Sequence, residues 1–253
     1  MNSVTTAFNA QRELELRNQT VVVIGGSAGI GLETARRARA EGANVILTGR
    51  DPERLQRAAR ELGALSTAAF DAADPVALER FFRDLSTPID HVMVTAGRPH
   101  YGRILDVDLV QPHHALGEHL VLAIQVARNA ANKLRAGGTL LLVGGTGGRR
   151  PGVGRGIVST ATAALPALTA NLALELAPVR VNLIAAGFVD TPLSAAILGD
   201  QLEARRNQLR ATLPIRRVVE AVDVAALAVH IMTNTALTGA TFDIDGGQQL
   251  LAD

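Results

Sequence analysis

Short apolar runs alternate with amphipathic segments along most of this chain, and this alternation constrains its fold more than any other feature. Thr20–Ile24 and Asn44–Thr48 have the length and branched side chains of buried strands, and Gly29–Glu41 between them has apolar residues at helical spacing. Strands that alternate with helices form parallel sheets with right-handed crossovers and helices on both faces. The pattern therefore predicts an α/β fold with one doubly wound sheet.

The same pattern continues to the end of the chain. The predicted strands are Thr20–Ile24, Asn44–Thr48, Leu65–Phe70, Ile89–Thr95, Thr139–Val143, Arg180–Ala185 and Thr241–Ile244. The predicted helices are Gly29–Glu41, Asp51–Leu62, Asp74–Leu85, Leu109–Leu134, Ile157–Leu176, Leu193–Leu213 and Val222–Met232. No linker interrupts them, so we predict one domain over residues 14–253, preceded by a loosely attached extension at residues 1–13.

The composition fits such a domain and excludes several classes of protein. Hydrophobic residues make up 47% and aromatic residues 3% of the chain, so the core must consist of Ala, Val, Leu and Ile, which suits strands covered on both faces. A net charge of +1 argues against a nucleic-acid partner. The chain has no Cys, which excludes disulfides and Cys-ligated metal.

The N-terminal residues and the apolar runs bear on localisation. Met1–Asn18 is polar with mixed charge, unlike a secretory signal. No run of about 18 apolar residues is uninterrupted, so we expect no membrane-spanning helix and no membrane partner. These two observations predict a cytoplasmic protein.

A glycine-rich turn joins the first predicted strand to the first predicted helix. It occupies Gly25–Gly31, with the sequence Gly-Gly-Ser-Ala-Gly-Ile-Gly. Such a turn exposes backbone N–H groups at the positive end of a helix, where a pyrophosphate binds. Gly25 permits the turn, Gly29 the close approach of a ligand, and Gly31 the tight packing of helix on strand. In this strand–turn–helix context the pattern predicts a Rossmann-type dinucleotide site.

The residues after the second predicted strand determine which nicotinamide dinucleotide binds. An acidic residue at this place would bind the ribose 2′-hydroxyl of NAD. The chain has Gly49 and Arg50 there instead, and a guanidinium binds a 2′-phosphate better than a hydroxyl. We therefore predict NADP(H) in preference to NAD(H); the alternative is that Arg50 is only a solvated loop residue.

Taken together, these and later motifs resemble the short-chain dehydrogenase/reductase family. The resemblance extends from about Leu14 to Gly247, and it is specific as a set. Besides the glycine loop, the motifs are Asp71, Thr95-Ala96-Gly97, Arg180-Val181-Asn182, Ala186–Thr191, Thr238-Gly239 and Asp245-Gly246-Gly247. The resemblance implies a seven-stranded doubly wound sheet, a homodimer or homotetramer, and oxidoreductase chemistry on a small-molecule substrate.

The resemblance also implies which residues hold the cofactor. In the family, the acid at the position of Asp71 binds the adenine amino group, and the segment at Ala186–Thr191 contacts the nicotinamide carboxamide. The cofactor-binding residues implied here are Gly25, Ser27, Ala28, Gly29, Ile30, Arg50, Asp71, Ala72, Ala96, Gly97, Thr162, Gly187, Val189 and Thr191.

The chain departs from the family at the catalytic residues. The family uses a Tyr and a Lys four residues apart on one helix, where the Lys charge lowers the pKa of the Tyr, together with a Ser and an Asn. This chain has one Tyr, Tyr101, and one Lys, Lys133, in different segments. No alignment can therefore supply the Tyr–Lys pair.

The flanking sequence shows what stands at the four family positions. They hold Val158 for Tyr, Thr162 for Lys, Gly145 for Ser and His119 for Asn. Thr146 could serve as the hydroxyl if the loop shifts by one residue. Because all four positions differ, we predict that the family's proton machinery is absent.

Three residues are candidates for other proton chemistry. Tyr101 follows the Thr95–Gly97 turn and would stand at the mouth of the nicotinamide pocket, as a substrate contact, an acid or a packing aromatic. His119 could exchange a proton, since an unperturbed His has a pKa of about 6.5, or be a hydrogen-bonded helix residue. Ser159 is a hydroxyl near the expected hydride site, and Thr162 could hydrogen-bond the nicotinamide ribose.

The glycine-rich loop Gly144–Gly156 carries three arginines, Arg149, Arg150 and Arg155. In a family member this loop would border the substrate pocket, where guanidiniums can hold a carboxylate or phosphate. The arginines therefore suggest an anionic substrate; otherwise they are solvated loop charges.

A group of His and Asp residues raises the question of a metal site. His113 and His114 are adjacent, and adjacent residues do not share a helix face. With Asp106 and Asp108 they match no ligand spacing of a metal site, so we predict no bound metal.

The sequence leaves three functions open. The first is an NADP(H)-dependent oxidoreductase with atypical proton handling, because the cofactor itself carries the hydride. The second is a catalytically inactive NADP(H)-binding sensor, or a structural partner of an active relative. The third is a lyase, epimerase or isomerase that uses the pocket without net redox chemistry, for which no specific residue argues.

Overall fold

A computed structural model describes residues 14–86, 88–107, 110 and 117–251 of the chain. The predicted extension at residues 1–13 lies outside the described residues, and so do His113, His114 and Asp108. Most of the predicted helix before residue 117 is outside them as well.

A parallel sheet of seven strands forms the centre of the described structure, as the sequence predicts. Its strand order is β3-β2-β1-β4-β5-β6-β9, and every pairing is parallel. The strands are β1 (Thr20–Ile24), β2 (Asn44–Gly49), β3 (Ser66–Ala69), β4 (Ile89–Val94), β5 (Leu134–Gly145), β6 (Arg180–Ala186) and β9 (Thr241–Ile244). A separate pair of short strands is formed by β7 (Val189–Asp190) and β8 (Val219–Glu220).

Helices cover both faces of this sheet. The α-helices are α1 (Gly29–Ala40), α2 (Pro52–Leu62), α3 (Pro75–Asp84), α4 (Leu122–Ala130), α5 (Gly156–Glu175), α6 (Pro192–Leu198), α7 (Leu202–Thr212) and α8 (Ala221–Thr233). Asp51 and Asp74 cap α2 and α3, each followed by Pro at the first helical position, as the Asp-Pro pairs predict.

Alternate residues of the central strands belong to two core clusters. Val21 and Val23 pack with residues of α1 and α8, whereas Val22 and Ile24 pack with residues of α3, α4 and α5. All four valine and isoleucine side chains are fully buried. Strands that are buried on both faces explain why these runs are continuously apolar.

Two predicted helices differ from the structure. The predicted helix Leu109–Leu134 ends earlier, because α4 ends at Ala130 and Leu134 already begins β5; a π-helical turn at Gly117–Val121 precedes α4. The predicted helix Leu193–Leu213 is divided into α6 and α7 at Gly199, which has a positive φ of 51°. Periodicity alone does not locate such breaks, since the apolar spacing continues through them.

Among the described helices, α5 alone is long and apolar enough, by length and composition, to cross a membrane. An 18-residue window in it has a mean hydropathy of 1.5, whereas the sequence predicts no spanning helix. The helix is the crossover between the paired strands β5 and β6, and its Leu165 and Leu172 are buried in the core against the sheet. We therefore interpret α5 as a core helix of the α/β domain.

One histidine is buried in the central sheet. His91 of β4 is 3% exposed; its Nε2 forms a 2.6 Å hydrogen bond with Oε1 of Gln19, and its Nδ1 has no hydrogen-bond partner in the structure. Burial, and to a lesser extent the charge of Arg180, lower its pKa from 6.5 to about 3. His91 is therefore neutral in the folded protein at neutral pH.

We expect His91 to make the protein less stable in mild acid. Above pH 6.5 neither state binds this proton; below it the unfolded chain binds the proton and the folded chain does not until about pH 3. The free energy of unfolding should therefore fall with decreasing pH by up to about 1.4 kcal/mol per pH unit. Urea unfolding of the wild type and of His91→Gln between pH 5 and 7 measures this slope.

The variant His230→Gln is the matched control, because His230 is exposed near the end of α8. The slope should be smaller in His91→Gln and unchanged in His230→Gln. Equal slopes in the wild type and His91→Gln would contradict the assignment.

Candidate functional site

A large cavity lies at the carboxyl ends of the central strands. Here β1 is flanked by β2 and β4, so the order of the strands reverses and the loops on the two sides diverge, which is where doubly wound sheets bind ligands. The cavity has a volume of roughly 690 Å³, within the range of small-molecule sites. Its walls come from the segments that follow β1, β4, β5 and β6, and from the region of α6 and α7.

The glycine loop forms one wall of the cavity. Gly25 and Gly26 donate backbone hydrogen bonds to the carbonyl of Thr48 at 3.2 and 2.9 Å, which fixes the loop to β2. The residue before α1, Ala28, provides no side-chain cap, and the first turn of α1 has no acidic residue. The first N–H groups of α1 therefore face the cavity without a protein anion, as an anion-binding helix end requires.

The three glycines of the loop are required for different reasons. A Cβ on Gly31 would collide with the carbonyl of Gly25 and with Thr95, and a Cβ on Gly25 would lie 2.8 Å from the backbone nitrogen of Ala96. Both glycines are thus required by packing inside the protein. Gly29 differs, because a Cβ there meets nothing closer than Thr191 at 3.5 Å, while its φ of 53° favours glycine. The space above Gly29 is open for a ligand.

The predicted adenosine-binding residues lie beyond the lining of this cavity. Arg50 is exposed at the end of β2, next to the end of β3 that precedes Asp71. Asp51, the residue after Arg50, accepts a 3.0 Å hydrogen bond from the backbone of Arg54 as the cap of α2, and this bond lowers its pKa. Asp71 accepts a 3.0 Å bond from the backbone of Ala73. Of the two charged side chains after β2, the carboxylate of Asp51 thus caps α2, whereas the guanidinium of Arg50 takes no part in the cap.

The segment after β6 forms the wall that faces the glycine loop. Gly187, Val189 and Thr191 line the cavity together with Ala96 and Gly97 after β4. Thr191 also begins α6, where it forms a reciprocal capping box with Ser194. The cap fixes the direction in which α6 leaves the cavity.

Two residues of α5 line the cavity where the Tyr and Lys of the resemblance would stand. Val158 and Thr162 are 9% and 7% exposed. The Thr162 hydroxyl donates to the carbonyl of Val158 at 2.8 Å, so the two residues are one helical turn apart. The Ser159 hydroxyl donates to the carbonyl of Gly147 at 2.9 Å, and Ser159 is not part of the cavity lining.

The only Tyr and the only Lys of the chain lie at different ends of the sheet. Tyr101 lines the cavity and is 58% exposed. Lys133 precedes β5, where its Nζ donates to the carbonyls of Arg83 and Leu85 at 3.1 and 2.8 Å, at the amino end of the strands. Its charge therefore cannot assist a group in the cavity.

The other polar residues predicted near the reaction centre also line the cavity. His119 reaches it from the π-helical turn, and Gly145 and Thr146 reach it from the end of β5. Thr146 is 5% exposed. The structure thus brings Tyr101, His119 and Thr146 to the cavity that contains the glycine loop.

The arginines at the cavity differ from those that the sequence suggests. Arg149 points away and forms an ion pair with Asp243 of β9, with an Nη1–Oδ2 distance of 2.8 Å. Arg150 and Arg155 line the cavity, as predicted, and Arg205 of α7 joins them. Sequence reasoning missed Arg205 because it lies some fifty residues further along the chain, in a polar helix with several arginines.

Metal-binding side chains do not cluster in this region. Over the residues that the structure describes, no three His, Asp or Glu side chains are grouped so that they could hold a metal ion.

Comparison with known proteins places this geometry in a family. A family model described as enoyl-(acyl carrier protein) reductase matches residues 25–249, which is well over half of the chain. Relatives that match over most of their length bear the name short-chain dehydrogenase/reductase. The chain belongs to the short-chain dehydrogenase/reductase family. It therefore belongs to a family of oxidoreductases with a Rossmann-type fold.

Three similar proteins illustrate the range of this family. Dehydrogenase/reductase SDR family member 4 of Sus scrofa is 29% identical over 94% of this chain and 89% of its own length. The cyclic-di-GMP-binding biofilm dispersal mediator protein of Escherichia coli is 29% identical over 90% of this chain and 96% of its own. The solved structure of a short-chain dehydrogenase from Burkholderia cenocepacia in complex with NADP is 29% identical, with a TM-score of 0.83 over 92% of this chain and 98% of that one.

In this member of the short-chain dehydrogenase/reductase family, the glycine loop and two residues of α5, Val158 and Thr162, line the same cavity. The glycine loop keeps the close contacts among Gly25, Gly31 and Thr95. The α5 residues that line the cavity, Val158 and Thr162, offer neither a cation nor an acid.

Gly29→Ala should abolish dinucleotide binding at a small cost in stability. A methyl group at φ 53° costs about 1 kcal/mol of backbone strain, and it occupies the space through which a pyrophosphate reaches the N–H groups of α1. Calorimetric titration with NADPH and a thermal melt measure the two effects separately.

Gly63→Ala is the matched control, because Gly63 ends α2 with a φ of 60° and has no neighbour closer than 4.0 Å. Both variants carry the same backbone strain, and only Gly29→Ala should lose NADPH binding. Retained NADPH affinity in Gly29→Ala would exclude this loop as the cofactor site.

Proposed function

We propose that this protein is an NADP(H)-dependent oxidoreductase that acts on the carbonyl or hydroxyl group of a small molecule without the family's Tyr–Lys pair. The observation that carries the proposal is that one cavity joins the glycine loop, the Gly187–Thr191 segment and the polar side chains of Tyr101, His119 and Thr146. Val158 also lines this cavity, which has a volume of roughly 690 Å³.

The chain's own residues fit the cofactor at both of its ends. The open N-terminus of α1 and the uncovered Gly29 suit the pyrophosphate, and Arg50 and Asp71 suit the adenosine end. The Thr162 hydroxyl already donates within α5, so it can only accept a hydrogen bond from the nicotinamide ribose. When bound, NADPH supplies the hydride, and the protein binds, orients and excludes water.

Proton transfer has to come from residues other than those the family uses. Tyr101 and His119 line the cavity, and both are titratable side chains of the kinds that act as general acids or bases. We propose that one of them, or a water held between them, exchanges the proton with the substrate oxygen. Ser159 is disfavoured as a donor, since its hydroxyl already donates to Gly147.

We expect NADPH to bind much more tightly than NADH, because Arg50 is the charged group left at the end of β2. Arg50→Gln should weaken NADPH binding about tenfold and leave NADH binding unchanged, since the lost interaction is one solvent-exposed charge-assisted contact. Calorimetry with both cofactors on the purified wild type and variant is the test.

The control variant is Arg60→Gln, because Arg60 is an exposed residue at the far end of α2. It should bind both cofactors as the wild type does. If neither cofactor binds to the wild type, the oxidoreductase proposal fails.

Restoring the family pair should raise the activity of this cavity. Val158→Tyr combined with Thr162→Lys puts a phenol and a cation one turn apart on the face that lines the cavity. General acid–base catalysis contributes roughly 10²–10⁴-fold when well placed, so we expect at least a tenfold faster oxidation of NADPH by a small reactive aldehyde. Loss of NADPH absorbance measures the rate.

Val158→Tyr with Thr162→Gln is the control, because it adds the phenol without the cation. It should gain far less than the Tyr–Lys variant. If the Tyr–Lys variant folds and binds NADPH but gains no rate, the nicotinamide end of the cofactor does not lie beside α5 as we propose.

A second candidate is a catalytically inactive protein that binds NADP(H) as a sensor or as a partner of an active relative. The substitution of the α5 positions by Val158 and Thr162 favours it, and one relative bears the name of a cyclic-di-GMP-binding mediator protein. The enzyme and the inactive binding protein are distinguished by mixing NADPH with an excess of wild-type protein, so that all NADPH is bound, and adding a panel of aldehydes and ketones. Oxidation of the bound NADPH by any member, lost in the Gly29→Ala variant, supports the enzyme.

We further propose that the protein is a cytoplasmic homodimer or homotetramer with one domain over residues 14–253. Exposed apolar side chains along one side, such as Ile124 of α4 and Leu174 of α5, support the association of copies. Light scattering on the purified protein measures the number of copies.

A further inference from the structure

The substrate side of the cavity is positively charged. Arg150, Arg155 and Arg205 contribute to its wall, and the lining contains no Asp, Glu or Lys among the described residues. Like charges gathered at one wall repel one another, and a bound anion stabilises such a cluster.

Arg205 is held in place but has no carboxylate partner in the described structure. Its guanidinium lies 5.9 Å from the centre of the Phe188 ring and donates to Oε1 of Gln208 at 2.8 Å. The next residue, Arg206, forms two hydrogen bonds of 2.8 and 2.7 Å with the carboxylate of Asp190. Two adjacent arginines thus have different tasks: Arg206 ties α7 to β7, and Arg205 faces the cavity.

The environment of Arg205 is unfavourable for a cation. Burial lowers its pKa, and the charges of Arg155 and Arg150 lower it further. The charges of Arg150 and Arg155, in the loop after β5, are therefore close enough to Arg205 of α7 to interact with it across the cavity. A bound anion would remove this repulsion. Tyr101 lines the same cavity as Arg205.

Arg155 adds the end of a long helix to the cluster. It is the residue before α5, a helix of 20 residues that has no side-chain cap and no acidic residue in its first turn. The first N–H groups of such a helix carry partial positive charge. Arg155 and Val158 both line the cavity, so this helix end is next to it.

Arg150 completes the wall from a fixed position. Its Nη1 donates to the carbonyl of Gln248 at 2.8 Å, which anchors the side chain to the C-terminal segment. Arg149, its neighbour, is instead paired with Asp243.

We infer that Arg155, Arg205 and the N-terminus of α5 form a subsite for an anionic group, a phosphate or a carboxylate, of the small molecule that enters beside the cofactor. The subsite is separate from the cofactor's phosphate site, which is built from the glycine loop and α1. The inference rests on the proposed function in one respect. NADP(H) must occupy the glycine loop, so that the anionic group of the small molecule binds at Arg155 and Arg205 and not at the glycine loop.

The test is a titration of protein saturated with NADP⁺, with inorganic phosphate in one arm and succinate in the other. Bound NADP⁺ blocks the glycine loop. The chain has one Tyr and no Trp, so its tyrosine fluorescence reports on Tyr101 in the cavity wall, and calorimetry provides an independent measure. A parallel titration with chloride at equal ionic strength gives the non-specific effect of salt, which is subtracted from the signal of each anion. Whichever of the two anions binds identifies the chemistry of the ligand group.

We expect saturable binding of one of the two anions in the wild type. Arg155→Gln and Arg205→Gln should each weaken it at least tenfold without changing the affinity for NADP⁺. Arg149→Gln and Arg210→Gln are the matched controls, because Arg149 is paired with Asp243 and Arg210 of α7 donates to Asn207 at 2.8 Å, away from the cavity. They should keep the wild-type affinity within about twofold. If Arg205→Gln does not fold, Arg155→Gln carries the test.

The inference fails if NADP⁺ binds but neither anion does, or if the control variants lose as much affinity as Arg155→Gln. If NADP⁺ itself does not bind, the proposed function fails. The same anion titration is then repeated without cofactor. Anion binding that is lost in Arg155→Gln and Arg205→Gln supports the subsite, and anion binding that is unchanged in these variants contradicts it.

Discussion

The close packing of three chain segments where β1 ends is the contact on which the rest of the structure depends. The hydroxyl of Thr95 donates to the carbonyls of Ile24 and Gly25 at 3.1 and 3.0 Å, while Gly26 donates to Thr48 on the other side. These bonds hold the end of β1 to both neighbouring strands, and α1 can begin only because Gly31 has no side chain at this crossing. The opening of the cavity, the direction of α1 and the exposed helix N–H groups all follow from this one contact.

The sequence predicts the sheet well because each central strand is buried on both faces, and burial leaves a direct trace as a continuous apolar run. It predicts helix ends well where a cap marks them, as Asp51 and Asp74 do. It fails where a break has no chemical marker apart from one glycine, as between α6 and α7. The end of the predicted long helix was wrong for a similar reason, because the residues from Ala130 to Leu134 include no Gly or Pro that would mark the end of a helix.

The candidate site was predictable to the extent that its residues belong to contiguous motifs. The glycine loop and the Gly187–Thr191 segment could be placed from their neighbours in the sequence. Arg205 could not, because its role depends on which face of α7 meets the cavity, and that is fixed by the ion pair of Arg206 with Asp190. Arg149 and Arg150 are adjacent and alike in sequence, and their partners in space distinguish them, since Arg149 pairs with Asp243 and Arg150 donates to the carbonyl of Gln248.

The junction between β2 and α2 shows how helix register can determine ligand choice. Asp51 must be the cap, because Pro52 can occupy only the first helical position here. In the proposed function, the side chain that would face the cofactor is therefore the one that precedes the cap, and in this chain it is Arg50. A deletion of Arg50 would leave Gly49 at that place and keep the helix intact. Charge selectivity at this junction thus depends on which residue lies immediately before the cap. An insertion or deletion before Asp51 would change that residue, whereas a substitution within α2 would not.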